Sequence, residues 1–318
     1  MLRLLITGGA GFIGSNFIRY MLKVHPNYKI INLDKLTYAG NLDNLKDIEK
    51  NPNYSFIKGD ICDTSLVLKL AKEVDVVINF AAESHVDRSI ESPDEFISTN
   101  IFGTNNLLKS AFDAKIKRFI QISTDETYGS IESGSFKETD SLFPNSPYSA
   151  SKASGDLIAR SYWKTYGFPV IVTRSTNNFG PYQYPEKLIP LFVTNVLENK
   201  KVPLYGDGLN VRDWLYVKDN CEAIDLILHK GKEGEIYNIG AKNELSNIEI
   251  TKMVLDVLGK DENFIEHVTD RPGHDRRYSV DILKIKKLGW NPQHDFDEAL
   301  KLTVNWYKDN KWWWEKLK

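Results

Sequence analysis

Apolar runs of strand length recur through the first half of the chain, separated by longer segments with apolar positions three and four apart. The runs are RLLIT (3–7), KIINLD (29–34), YSFIKG (54–59), DVVINF (75–80), RFIQIS (118–123) and PVIVTR (169–174). Most are near-continuous Val, Ile, Leu and Phe, the pattern of strands buried on both faces. The segments 12–24, 64–73, 94–113 and 147–166 are of helix length. This alternation predicts βαβ units and an α/β fold on a doubly wound parallel sheet.

After Arg174 the texture changes. STNNFGPYQYPEK (175–187) is rich in Asn, Pro and aromatics and reads as a structured loop. Helices are expected at about 187–199, 218–229 and 246–258, the last opening on the capping box SNIE, Ser246 to Glu249. PGHDRRYSVD (272–281) reads as a polar loop, and the tail VNWYKDNKWWWEKLK (304–318) as a terminal helix packing its tryptophans on the body. Two lobes are expected, 1–174 and 175–318, with later segments at about 211–242 returning to the first. The second is the smaller, of mixed α/β structure.

Composition narrows the function classes. The 318 residues are 42% hydrophobic and 26% charged, with a net charge of −2, values of a globular chain with a sizeable core. No basic field argues for nucleic acid. No apolar run reaches membrane-span length, and glycines interrupt the N-terminal MLRLLITGGAGFIG, so it does not read as a signal peptide. Cys62 and Cys221 stand far apart, which fits a reducing cytoplasm. The six histidines form no HxxxH or HExxH pattern, so no metal site is expected.

ITGGAGFIGSN (6–16) follows the first strand and opens the first helix. Gly8, Gly11 and Gly14 permit a tight turn, close backbone approach to a pyrophosphate and close helix–strand packing. The helix start, at Phe12 and Ile13, offers N–H groups and a positive dipole end. Asp34 ends the second strand, where an acid grips the adenosine ribose. A Rossmann-type NAD site follows. Asp34 favours NAD over NADP, although Lys35 beside it leaves NADP open. GDICD, after the third strand, puts Asp60 and Ile61 near an adenine.

STDETYG (123–129) ends the fifth strand and places a hydroxyl, two carboxylates and a phenol in a row. YSASK then supplies Tyr148 and Lys152 one helical turn apart. A phenol normally titrates near pH 10. A neighbouring ammonium and the positive nicotinamide of NAD favour the phenolate, which could take a proton from a sugar hydroxyl as hydride leaves.

In this order the glycine loop, Asp34, NFAAESHVDRS (79–89), STDETYG and YSASK resemble the extended short-chain dehydrogenase/reductase superfamily, and its nucleotide-sugar enzymes in particular. Thr124-Asp125-Glu126, with NNFGPYQYPEKLIP (177–190), PLYGDGLNVRDWLYV (203–217) and DRPGHDRRYSVD (270–281), resembles the dTDP-glucose 4,6-dehydratase family over nearly the whole chain. One departure is Thr127, where the family usually has Val; it is expected to point away from the substrate. The resemblance implies conversion of dTDP-glucose to dTDP-4-keto-6-deoxyglucose. NAD oxidises C4, water is eliminated across C5 and C6, and the hydride returns to C6. Tyr148 then takes the 4-hydroxyl proton beside Lys152, Thr124 binds that oxygen, Glu126 is the C5 base and Asp125 the C6 acid. Two close carboxylates in a dry pocket resist double ionisation, so one can stay protonated. The resemblance further implies NAD contacts at Ala81, Ala82, Ser84, Thr99 and Asn178. Arg212 and Arg271 would face the diphosphate near Asn177, Lys187, Leu188, Pro203, Tyr205, Asn247 and His274, and Ser84 the hexose. It also implies a homodimer through helices 94–113 and 147–166.

The closest alternative is a 4-epimerase or decarboxylase of the same fold. Such an enzyme shares Thr124, Tyr148 and Lys152 but does not need Asp125 and Glu126. A non-catalytic NAD-binding regulator would be expected to lose part of the Tyr–Lys or acidic set, and none is lost here.

Overall fold

The computed structural model describes all residues, 1–318. Strands and helices alternate as β1 (Arg3–Thr7), α1 (Phe12–Val24), β2 (Lys29–Asp34), β3 (Tyr54–Lys58), α2 (Thr64–Ala71), β4 (Val76–Asn79), α3 (Val86–Glu91), α4 (Asp94–Phe96), α5 (Thr104–Asp113), β5 (Arg118–Thr124), α6 (Pro147–Tyr166) and β6 (Val170–Ser175). The later elements are β7 (Asn177–Phe179), α7 (Leu188–Leu197), β8 (Val202–Tyr205), β9 (Val211–Tyr216), α8 (Val217–Lys230), β10 (Ile236–Ile239), β11 (Glu244–Ser246), α9 (Asn247–Val257), β12 (Ile265–Val268), α10 (Leu283–Leu288), α11 (Phe296–Asp309) and α12 (Lys311–Trp314).

Seven parallel strands form the main sheet in the order β10-β6-β5-β4-β1-β2-β3. The chain order reverses between β1 and β4, and ligands of such sheets bind outside the carboxyl ends of the strands at that point. Successive residues of β1 feed opposite faces. Leu4 and Ile6 join a core with Phe17, Ile18 and Met21 of α1 and Ile224 and Ile227 of α8. Leu5 joins a second core with Val67 and Leu70 of α2, Leu107, Leu108 and Ala111 of α5 and Ala159 of α6. The first core runs on without a break through Phe192, Val202, Trp214, Ile250 and Trp313, so the later lobe is packed against the sheet rather than tethered to it.

Helix ends follow their sequence signals. α6 has Ser146 as N-cap in a reciprocal box with Ser149, Pro147 in the first turn, and Gly167 in the left-handed region at φ +63°. The expected Ser246–Glu249 box opens α9. Two differences matter. The segment 94–113, expected as one helix, is interrupted by a π-helical stretch at Ile97–Gly103. The tail is not one helix: α11 stops at Asn310, and α12 and a 3-10 turn at Glu315–Leu317 follow.

The later lobe has strands that the sequence did not signal. β11-β9-β7 form a three-stranded mixed sheet and β8 pairs with β12. Of the 211–242 region, β10 joins the main sheet beside β6 and α8 packs on α1, whereas β9 belongs to the small sheet. No helix is long and apolar enough to cross a membrane.

Candidate active site

The turn between β1 and α1 is built by close approach. Gly8 has φ +68°, and a Cβ there would lie 2.5 Å from the Ala81 nitrogen. At Gly14 a Cβ would lie 2.4 Å from the Gly8 carbonyl oxygen, so the helix start rests directly on the turn. Asp34, at the end of β2, accepts the Ala10 N–H through Oδ2 and the Leu36 N–H through Oδ1, both at 2.8 Å. Burial raises its pKa against those two bonds. Lys35 is paired with Asp60 at 2.8 Å. Burial pushes Asp60 up, but the bonds from Lys35 and the Cys62 N–H outweigh it and leave its pKa lowered.

These groups line one cavity along the carboxyl ends of the central strands. Its walls include Gly8, Gly11, Phe12, Ile13, Gly14, Asp34, Asp60, Ile61, Ala81, Ala82, Ser84, Thr99, Tyr148 and Lys152. The π-helical stretch carries Thr99 to this wall and turns Asn100 inward, where it bonds the Glu83 backbone at 3.0 Å on both sides and Ser151 Oγ at 2.8 Å. Asn178 is set apart from the lining: its amide N–H donates to the Thr176 carbonyl at 2.9 Å.

A second cavity is lined by Ser84, Asn177, Lys187, Leu188, Pro203, Tyr205, Arg212, Asn247, Arg271 and His274, together with Glu126. Ser84, Glu186 and Lys187 line both cavities, so the two share a wall. The second is rich in donors. Arg212 lies 4.2 Å over the Tyr278 ring, with two N–H groups on the carbonyls of Val211 and Asp275. Arg271 meets Asp87 at 3.2 Å, and its Nε is buried with no partner. Lys187 donates to the Ser84 carbonyl at 2.8 Å, and its burial lowers its pKa.

The STDETYG segment stands where the cavities meet. β5 ends at Thr124, and a single 3-10 turn, Asp125–Tyr128, follows and stops at Gly129, φ +85°. The Thr124 hydroxyl caps that turn, accepting the Glu126 N–H at 3.3 Å and donating to Asp125 Oδ1 at 3.2 Å. Asp125 is 2% exposed and its Oδ2 has no partner. Burial, then Glu126, then Asp213 push its pKa well above the carboxylate range. Burial also raises Glu126, against Arg212, Arg271 and Lys187. Thr127, the position where the family usually has Val, is fully buried, with its hydroxyl on the Thr124 carbonyl at 2.8 Å.

Tyr148 lies in the first turn of α6, beside Thr124. Burial and then Glu126 raise its pKa, with Thr124 acting in the opposite direction. Lys152, one turn on, donates to the Ile122 carbonyl at 2.6 Å, and burial lowers its pKa to about 8 against the pull of Asp156. The sequence led to an expectation that Lys152 favours the phenolate. In the folded chain its ammonium donates to a β5 carbonyl, and burial and then Glu126 outweigh any lowering of the phenol's pKa.

Several lining residues escaped the sequence reading. Thr37, Ala39 and Gly40 follow β2; Gln183, Tyr184 and Glu186 come from the aromatic loop; His85 and Asp87 come from NFAAESHVDRS. Their only signal was membership of polar loops beside strand ends. Asp213, raised to about 6 by burial and held by the Ala241 and Asn243 N–H groups, was invisible as a neighbour of Asp125 because it lies on a strand of the later lobe. Away from both cavities, Asp225 and His229 of α8 meet His25 at the end of α1. His25 Nε2 and His229 Nδ1 both lie 2.9 Å from Asp225 Oδ1, and the Tyr20 and Tyr28 hydroxyls complete the cluster. It ties the two helices together.

The family model described as GDP-mannose 4,6 dehydratase matches residues 5–303. The low-salt glycan biosynthesis protein Agl12 of Haloferax volcanii is 53% identical, over 95% of this chain and 97% of its own. A dTDP-glucose 4,6-dehydratase of Streptomyces antibioticus is 51% identical over 100% of this chain and 96% of its own. The crystal structure of DesIV, a dTDP-glucose 4,6-dehydratase from Streptomyces venezuelae with NAD and TYD bound, superposes with a TM-score of 0.98 at 52% identity, covering all of both chains. Likeness of this extent, over a chain that keeps the dinucleotide turn, the Tyr148–Lys152 pair and the adjacent carboxyls, places the protein in the dTDP-glucose 4,6-dehydratase family of the extended short-chain dehydrogenase/reductase superfamily.

Proposed function

We propose that this protein is an NAD-dependent hydro-lyase that converts dTDP-glucose to dTDP-4-keto-6-deoxyglucose. One observation carries the reading. A pair of adjacent carboxyls, Asp125 buried and Glu126 half-buried on the cavity wall, stands beside Thr124 and Tyr148 where a dinucleotide cavity meets a donor-rich second cavity.

The first cavity fits NAD. Its turn has no room for a side chain at Gly8 or Gly14, and Asp34 meets the ribose with a carboxylate that disfavours a 2′-phosphate. Lys35, engaged by Asp60, is not free to offset it. NAD⁺ held there by the turn, Asp34 and the cavity wall would supply a hydride acceptor for C4 and a donor for C6, and its positive charge would favour the Tyr148 phenolate. Tyr148 takes the 4-hydroxyl proton while Thr124 donates to the forming ketone oxygen. The ketone acidifies C5–H, and Glu126, held beside Arg212, Arg271 and Lys187, removes that proton and gives one back to C5 when the hydride reaches C6. Asp125, kept neutral by burial and by Glu126, protonates the leaving 6-hydroxyl. Arg212 and Arg271 bind the diphosphate, where planar guanidinium forks suit phosphate oxygens.

In this reading residues 1–174 hold NAD and 175–318 mainly the nucleotide sugar. Unpaired Cys62 and Cys221 suit a reducing cytoplasm. Ile97, Phe102 and Leu157 are each more than half exposed on the 97–103 stretch and α6, an apolar face that supports pairing with a second copy.

The test is to incubate the purified protein with dTDP-, UDP- and CDP-glucose separately and follow the loss of one water by mass spectrometry. Loss is expected with dTDP-glucose and to be slower with the others. No loss from any of them overturns the reading.

A further inference from the structure

The tryptophan-rich tail has no part in this chemistry, yet it reaches the cofactor cavity from behind. Trp313 and Trp314 are each 1% exposed. The Trp314 indole N–H stays within the tail, on the Tyr307 carbonyl at 2.7 Å. The Trp313 indole N–H leaves the tail and donates to Asn44 Oδ1 at 2.7 Å. Asn44, also 1% exposed, donates in turn to the Ala10 carbonyl at 2.8 Å. Ala10 belongs to the glycine-rich turn, and its N–H is already held by Asp34. One side-chain amide therefore connects the tail to the peptide that shapes the phosphate site. The first N–H groups of α1 have no acceptor within the helix, and Phe12 and Ile13, which carry them, line the cavity.

The tail holds the opposite rim as well. The Tyr307 hydroxyl donates to the Gln183 carbonyl, and the Leu317 carbonyl accepts from the Tyr184 hydroxyl at 3.3 Å. Tyr182 packs on Trp306 and Trp313, with ring centroids 4.6 and 5.8 Å apart. Gln183 and Tyr184 both line the cofactor cavity.

We propose that the segment Trp306–Leu317 is a cofactor-retention clamp, with Trp313 the positioning residue that couples it to the phosphate turn through Asn44. The proposal rests on the NAD reading above. A reaction that returns its hydride each turnover does not require the cofactor to leave. Rims fixed from outside lose less freedom when the dinucleotide binds, which favours retention.

Trp313→Phe keeps an aromatic ring in the core and removes the indole donor together with some packed volume, leaving Asn44 Oδ1 buried and unpaired. The measurement is NADH release from the holoenzyme, followed by fluorescence on displacement with excess NAD⁺, with dTDP affinity determined by calorimetry on the same preparations. Release should become about three- to tenfold faster, the size expected for one lost buried hydrogen bond, while dTDP affinity stays within about twofold. Combined with Asn44→Ala, the effects should be non-additive because both variants cut one relay. Truncation after Trp314, which removes the Leu317 carbonyl and spares the tryptophans, should also speed release. An unchanged release rate in Trp313→Phe or in the truncation overturns the clamp. So do additive effects in the double variant, or parallel losses of NADH and dTDP affinity, which mark general loosening. A wild-type protein that binds no NADH overturns the NAD reading itself, and that failure is recognisable because it appears before any variant is compared.

Discussion

At the residue scale, Asp125 is the proposed C6 acid, and its surroundings favour the uncharged carboxylic acid. Asp125→Asn keeps the shape and removes the proton donor. Elimination should slow by about 10²–10⁴-fold while C4 oxidation persists, so single-turnover absorbance should show NADH building up and lingering. Equal loss of both steps would contradict the assignment. The same variant tests stability. A carboxyl whose folded pKa lies above the unfolded value of 3.8 has its full favourable contribution below that pH and loses it as pH rises through the folded value. Asp125→Asn should therefore melt a few degrees higher than wild type at pH 7, by about 1 kcal/mol, with the gain disappearing near pH 4. Lys152 titrates in the other sense. With a folded pKa of about 8 against 10.5 unfolded, the unfolded chain binds more protons between those values, so this group makes stability rise with pH there. Its charge beside Tyr148 is lost over the same range, and kcat should fall as pH rises through about 8. A flat profile from pH 7 to 9.5 in stopped-flow assays would count against a role for that charge. Single residues were the most legible level in the sequence, because Thr124, Asp125, Glu126, Tyr148 and Lys152 lie in short contiguous motifs. What the sequence did not carry was the direction of the Lys152 ammonium, which depends on an acceptor 30 positions earlier.

At the element scale, the end of β5 and the start of α6 present the proposed reacting groups, and a buried ion pair fastens α6 to β6, the strand beside β5. Arg174 of β6 meets Asp156 of α6 at 2.9 Å, both almost fully buried, with the guanidinium 4.6 Å over the Tyr128 ring. Asp156 lies one turn beyond Lys152 and raises its pKa. Removing one partner of such a pair leaves an uncompensated charge, so Asp156→Ala should cost about 3–5 kcal/mol in denaturant unfolding. It should also move the alkaline limb of kcat to lower pH. A loss below about 1 kcal/mol would mean that the pair behaves as a surface bridge. Strands and helices of the first half were readable because burial on both faces writes continuous apolar runs and caps mark helix ends. The π-helical stretch was not, since one extra residue in a turn leaves the apolar spacing of 94–113 nearly intact. The three- and four-residue strands of the later lobe were too short to show a period.

At the scale of the whole molecule, the site exists only because two parts of one core bring distant segments together. Glu126 from the turn after β5 shares a cavity with Arg212 from β9 and Arg271 from the loop after β12. Those long-range meetings were out of reach of local pattern, although the motifs supplying them were visible. The exposed apolar face at Ile97, Phe102 and Leu157 predicts that Phe102→Glu with Leu157→Glu shifts the protein from dimer to monomer in light-scattering chromatography. Wild type running as a monomer would remove that expectation. In the proposed reaction the two carboxyls turn a nucleotide-sugar oxidation into a dehydration with hydride returned at C6. Its most direct test is to supply dTDP-glucose carrying deuterium at C4 and locate the label by NMR. A 4-keto-6-deoxy product with the deuterium on C6 is expected. Deuterium returned to C4, in glucose or its 4-epimer, would contradict it.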